Sequence, residues 1–79
     1  MTPAQLDAFI AVAQANSFTT AANILGITQS AVSHAIKSIE KELGVALFVR
    51  GKAEIVLTEV GSTILVKAHS VLGLFESIK

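Results

Sequence analysis

The 79-residue chain has no cysteine, which excludes disulfides and thiolate metal sites. It also has no run of eighteen uninterrupted apolar residues, so a membrane span is not expected. The first residues lack a basic segment followed by an apolar core, so no secretory signal is expected, and the sequence fits a cytoplasmic protein. Charge is scarce at 15% and balanced, with six Lys and Arg against six Asp and Glu. A net charge of zero argues mildly against a nucleic-acid partner. The aromatic residues are Phe9, Phe18, Phe48 and Phe75 alone. They sit at apolar positions without interleaved cations, as core or dimer contacts do and single-strand stacking platforms do not.

Catalytic machinery is missing as well. His34 and His69 are too far apart for any usual metal-site spacing. There is no glycine-rich phosphate loop, and no serine has a base and an orienting carboxylate nearby in sequence. Neither an enzyme nor a cofactor or metal is expected. Internal repeats and low-complexity segments are absent too.

What the chain does have is apolar surface, 52% of its residues. At this length it makes one small domain with a thin core, so part of that surface is expected to meet a second subunit. The charges are unevenly placed. Residues 1–29 carry only Asp7, while residues 30–52 hold Lys37, Lys41, Arg50 and Lys52 against Glu40 and Glu42. Residues 53–79 hold Glu54, Glu59 and Glu76 against Lys67 and Lys79. The positive excess thus falls in the middle of the chain. A field this weak predicts modest, salt-sensitive non-specific affinity for DNA.

The most informative stretch is Thr28–Leu43, TQSAVSHAIKSIEKEL. Val32, Ile36, Ile39 and Leu43 recur at helical spacing and face a core. The opposite face carries Gln29, Ser30, Ser33, His34, Lys37 and Lys41. Short polar groups come first and cations later, the order a helix entering a major groove needs. Thr28 is suited to cap it.

The rest of the chain supplies a frame for that helix. Thr2-Pro3-Ala4-Gln5 reads as a capped start for a first helix over about 3–15, with Leu6, Phe9, Ile10 and Ala13 inward. Ser17 opens a second over about 18–25, with Phe18, Ala21, Ala22 and Leu25 inward, and Gly26 ends it. Ile27 is expected to plug the turn before the third helix. The alanine pair permits close approach of two helices joined by a short turn. Gly44 stops the third helix. Leu47-Phe48-Val49 and Ile55-Val56-Leu57, joined by residues 50–54, predict a two-stranded hairpin. Thr58 then caps a last helix over about 59–78 that is more apolar than one stripe requires.

The stretches LDAFIAVAQANSFTTAANILGITQSAVSHAIKSIEKELGVALFVR and LTEVG together resemble the N-terminal winged helix-turn-helix domain of LysR-type transcriptional regulators. With the last helix, the resemblance covers essentially the whole chain. It implies a mainly α fold: a winged helix-turn-helix domain over 1–58, then a linker and dimerisation helix over 59–79. It also implies an antiparallel dimer of the last helices. A small-molecule effector would act only through a further domain absent here, so the chain looks like a DNA-binding fragment or a naturally short relative. Two positions depart from the family pattern. His34 stands where arginine is common, and Thr20 where a cation is frequent, which weakens the contacts expected there.

The expected function is sequence-specific binding to double-stranded DNA, with a recognition helix over about 29–42 in the major groove and a wing over about 47–57 on the minor groove. Gln29 would read adenine by a bidentate pair or contact phosphate, unless it is merely a solvated first-turn residue. Ser30 and Ser33 would reach base edges, and His34 a guanine acceptor or phosphate, more strongly when protonated. Thr28 belongs with this group at the helix start. Lys37 would meet phosphate. Ser17, Thr19 and Thr20, at the start of the second helix, form a ready phosphate site, although simple capping also explains Ser17. Arg50 and Lys52 would enter a narrow minor groove from the wing, or be solvated in its loop. Ile64, Ala68, Val71, Phe75 and Ile78 would pair with a second copy, giving a homodimer on a roughly palindromic site. The alternative is a winged-helix protein-interaction module without DNA binding, which zero net charge and the apolar last helix favour.

Overall fold

The computed structural model describes residues 1–51 and 54–79, and its first helix starts where the opening residues dictate. Thr2 accepts from the Gln5 N–H at 3.1 Å, and the Gln5 side chain accepts in return from the Thr2 N–H at 3.1 Å. This reciprocal box, with Pro3 behind it, opens α1 (Pro3–Ala15). Asn16, in the left-handed conformation at φ 56°, closes α1. Ser17 then caps α2 (Phe18–Leu25), and Gly26 at φ 69° ends it. Thr28 caps α3 (Gln29–Leu43), which Gly44 closes at φ 68°. Strands β1 (Phe48–Arg50) and β2 (Ile55–Leu57) pair antiparallel, Phe48 opposite Leu57 and Arg50 opposite Ile55. Helix α4 (Glu59–Ile78) follows, capped by Thr58. The result is mainly helical, three helices and a two-stranded wing followed by one long helix.

Helix α1 lies at the centre, against α2, α3 and α4. This explains a departure from the single stripe that spacing suggests. Leu6, Ala8, Phe9 and Val12 are buried, while Ile10 and Ala13 are only partly so. A helix with neighbours on three sides has no single dry face. On α3, Val32, Ile36 and Ile39 are buried as expected. Leu43 is not, and stays 39% exposed. It falls in the last turn, beyond the body of the core, at the rim of an apolar groove between α1 and α4. Ile27 is 45% exposed and plugs nothing. Its backbone fixes the turn instead, the N–H donating to the Ala22 carbonyl at 3.1 Å.

Leu47, expected in the first strand, precedes β1 and is fully buried, where it joins three elements. Its N–H donates to Glu40 Oε2 at 2.7 Å. Its carbonyl accepts from the Thr58 N–H at 2.9 Å, and the Thr58 hydroxyl, 3.2 Å away, donates to the Ala46 carbonyl at 2.7 Å. The end of α3, the root of the wing and the cap of α4 therefore meet at one residue.

The core is held by an aromatic pair at its centre. Phe9 meets Phe48 edge-on, with centroids 5.5 Å apart and planes at 71°. Phe9 is wholly buried, so Phe9→Ala removes a large ring from a close-packed site at a cost of about 3–5 kcal/mol. Small domains hold only about 5–15 kcal/mol. Thermal denaturation followed by circular dichroism is expected to show the variant largely unfolded or melting far below the parent; an unchanged midpoint would place Phe9 outside the core.

Candidate nucleic-acid interface

The three buried residues of α3 turn its other side outward. Gln29, Ser30, His34 and Lys37 are exposed and Ser33 is half-buried. They follow one another along the same surface, with Gln29, Ser30, Ser33 and His34 in the first two turns and Lys37 beyond. Lys41, one turn further, is exposed too. Thr28 has a defined task at the base of this surface: its Oγ accepts from the Ala31 N–H at 3.0 Å. It caps the helix with one lone pair and keeps a hydroxyl proton to donate.

Two side chains at the start of α2 reach towards this surface. Ser17 Oγ accepts from the Thr20 N–H at 3.1 Å. The N–H groups of Phe18 and Thr19, at the first two helical positions, have no intrahelical acceptor. The Thr19 hydroxyl donates to Gln29 Oε1 at 3.2 Å. This bond bears on what Gln29 can read. The amide oxygen keeps a second lone pair and the NH₂ both its donors, so a bidentate pair with adenine and a contact to phosphate are both open to a Gln29 steadied by Thr19. Thr20 is exposed beside these groups and its side chain has no hydrogen bond among the described residues.

Arg50, the last residue of β1, completes the arrangement from the wing. Its Cζ lies 4.6 Å from the centroid of the Phe18 ring. Ser17, Phe18, Thr19, Gln29, Arg50, Gly51, Glu54 and Ile55 together line an open cleft of about 570 Å³. The cleft is thus walled by the starts of α2 and α3 and by the wing. Gly51 donates its N–H to the Glu54 carbonyl at 2.8 Å, which sets the width of the hairpin there. Lys52, expected to act with Arg50, lies outside the described residues.

Several of these features are invisible in the sequence. Spacing places Phe18 inward, and nothing in the pattern shows that its ring carries Arg50. The Thr19–Gln29 bond joins residues ten apart that neither periodicity nor capping relates. Glu54, in sequence only a connecting residue, lies in the cleft wall together with Arg50 and brings a negative charge to it.

The last helix also differs from expectation at one position. Ala68, expected on a face towards a second copy, is 2% exposed and part of the chain's own core. Ile64 is partly buried against that core, as are Leu65 and Leu72. The physical reason is the neighbouring α1, which covers the first half of α4. Val71, Phe75 and Ile78 remain exposed, and so do Val66 and Leu74, which spacing does not single out.

Comparison with known proteins gives this geometry its context. The family model described as bacterial regulatory helix-turn-helix protein, lysR family, matches residues 3–62. An uncharacterized HTH-type transcriptional regulator, YvbU of Bacillus subtilis (strain 168), is 44% identical over an 80-residue alignment that covers 100% of this chain and 27% of that protein. The crystal structure of a CbnR_DBD-DNA complex superposes with a TM-score of 0.93 at 35% identity, covering 98% of this chain and 88% of that one. A BenM_DBD/benA site 1 DNA complex gives 0.92 at 33% identity, covering 99% and 88%. The chain spans 27%, 53% and 22% of the lengths of three curated relatives, all transcriptional regulators.

Proposed function

The chain belongs to the lysR family of bacterial regulatory helix-turn-helix proteins, and on that footing we propose that it binds double-stranded DNA in a sequence-specific manner, as the DNA-binding domain of a LysR-type transcriptional regulator. The observation that carries this reading is the exposed polar face of α3, flanked by a cleft that contains Arg50 and the free N–H groups of α2. Helix α3 lies in the major groove, with Ser30, Ser33 and His34 at base edges. Gln29, steadied by Thr19, pairs with adenine or contacts phosphate. Lys37, Arg50 and the start of α2, through Ser17, Thr19 and Thr20, hold the phosphate backbone and set the register. Two solved relatives are DNA complexes of domains with this fold, which supports the same docking here.

Selection from a random duplex library with the purified chain tests the proposal, followed by fluorescence anisotropy at several salt concentrations. Binding should fall steeply with salt even on unselected duplex, and selection should return a half-site. Absence of salt-dependent binding would overturn the reading and leave the winged fold as a protein-interaction module.

We further propose that a second copy of the chain binds through α4. The exposed Val71, Leu74, Phe75 and Ile78 give the end of that helix a run of apolar surface that α1 does not cover. The groove of about 190 Å³ bordered by Leu6, Leu43, Ile64 and Val71 continues it. A two-fold pair would place two α3 helices on half-sites related by symmetry, hence a roughly palindromic operator. In sedimentation velocity, Phe75→Glu should convert a dimer to a monomer, since it replaces an apolar ring with a charge that must be desolvated in the contact. Unchanged sedimentation would remove Phe75 from the interface.

A further inference from the structure

We infer that Phe18 is a positioning residue for DNA recognition, acting through Arg50. The inference rests on the DNA-binding reading above and says how one of its contacts is built. The guanidinium carbon sits 4.6 Å from the Phe18 centroid, well within the range of a cation–π contact. The ring that carries it does not move freely. Phe18 meets Phe48 edge-on at 6.2 Å and 66°, and Phe48 meets the buried Phe9 in the same way. Phe18 is 9% exposed, so most of the ring is clamped in the core and a small part reaches the surface, into the cleft.

The chemistry of the pair suits a recognition role better than a structural one. A guanidinium over a ring is held by its charge, and that attraction spends none of its N–H donors on an anion. Among the described residues Arg50 forms no salt bridge. The cation–π contact therefore holds the cation without using up the groups that bind an anion. A free arginine must lose the freedom of a long side chain on binding, and one already seated on a ring loses less. A single chain of contacts, from Phe9 through Phe48 and Phe18 to Arg50, thus fixes the wing cation relative to α3 before DNA arrives.

A double-mutant cycle tests the inference. Fluorescence anisotropy on random-sequence duplex and on an A-tract duplex would compare the parent chain with Phe18→Leu, Phe18→Tyr, Arg50→Ala and Phe18→Leu/Arg50→Ala, at temperatures where circular dichroism shows each folded. Phe18→Leu keeps every charge and most apolar volume. It is expected to weaken binding about two- to fivefold, the factor a surface cation–π contact supplies, with the larger loss on the narrow-groove A-tract. Phe18→Tyr should restore binding. In the Arg50→Ala background, Phe18→Leu should cause no further loss. Equal losses in both backgrounds, or none in the first, would overturn the role of Phe18 while leaving DNA binding intact. Should Phe18→Leu fail to fold, Arg50→Lys gives a second route through an untouched core: it keeps the charge and gives up the guanidinium held on the ring. Retention of the full A-tract preference by that variant would overturn the inference. A parent chain that binds neither duplex would overturn it together with the DNA-binding reading.

Discussion

Gly61→Ala is expected to destabilise the chain severely, although the change improves helix propensity. Gly61 lies in the first turn of α4 and is buried. In a solvated helix, alanine is better than glycine by up to about 1 kcal/mol. Here an added Cβ would overlap the carbonyl oxygen of Leu47 and meet Leu57 Cδ1 and Thr58 Oγ1 at 3.0 Å each. Two of these three obstacles belong to the junction of wing and helix. The Leu47 oxygen cannot retreat without breaking its bond to the Thr58 N–H. Overpacking of this kind costs about 1–3 kcal/mol, more where backbone must shift. For a domain of this size, that lowers the thermal midpoint by on the order of 10 °C or more. Gly73→Ala is the control. Gly73 lies in the same helix, and a methyl group added there would meet no atom within 4 Å, so the same substitution should leave the midpoint unchanged or raise it. If Gly61→Ala melts like Gly73→Ala, the close approach of α4 to Leu47 is wrong.

The second large effect concerns binding. The chain has six cations in all and a net charge of zero, so it has little general attraction for DNA and depends on a few well-placed groups. Lys37 on α3 and Arg50 on β1 approach from different elements. A hydrogen bond to a charged group contributes about 1.5 kcal/mol or more, so each alanine substitution should weaken binding about tenfold at low salt. Together they should weaken it by on the order of a hundredfold, because the two are on separate elements and add. The slope of log affinity against log salt should fall by about one for each. His34→Ala, by contrast, should alter base preference and leave that slope unchanged. Anisotropy titrations over a salt series would separate these behaviours. A slope unmoved by the Lys37→Ala/Arg50→Ala double substitution would show that neither meets phosphate.

Local chemistry made most of the fold legible. Thr2, Ser17, Thr28 and Thr58 each announce a helix, and each caps one in the structure. Capping depends on neighbours three residues away, which a sequence displays directly. Periodicity is reliable for α3, which has one dry face, and less so for α1, which has three neighbours. Leu43 and Ile27 depart from expectation for a related reason: spacing says which side of a helix a residue occupies, not whether anything covers that side. Ala68 shows the converse, since α1 takes the face that spacing assigns to a partner. In the candidate interface, the polar face of α3 can be read from order and spacing. The bond between Thr19 and Gln29 and the contact of Arg50 with Phe18 cannot, because each depends on how separate elements meet.

The bond between Thr58 and Leu47 has a mechanical consequence. Helix α4 is fastened at its first turn and held along its first half by α1, while its far end is uncovered, so the free half acts as a lever of about 15 Å. A one-degree tilt would carry Ile78 sideways by roughly a quarter of an ångström over that length. The threonine joint and the α1 packing beside it thus set how accurately anything attached to the tip is aligned with the wing at the root.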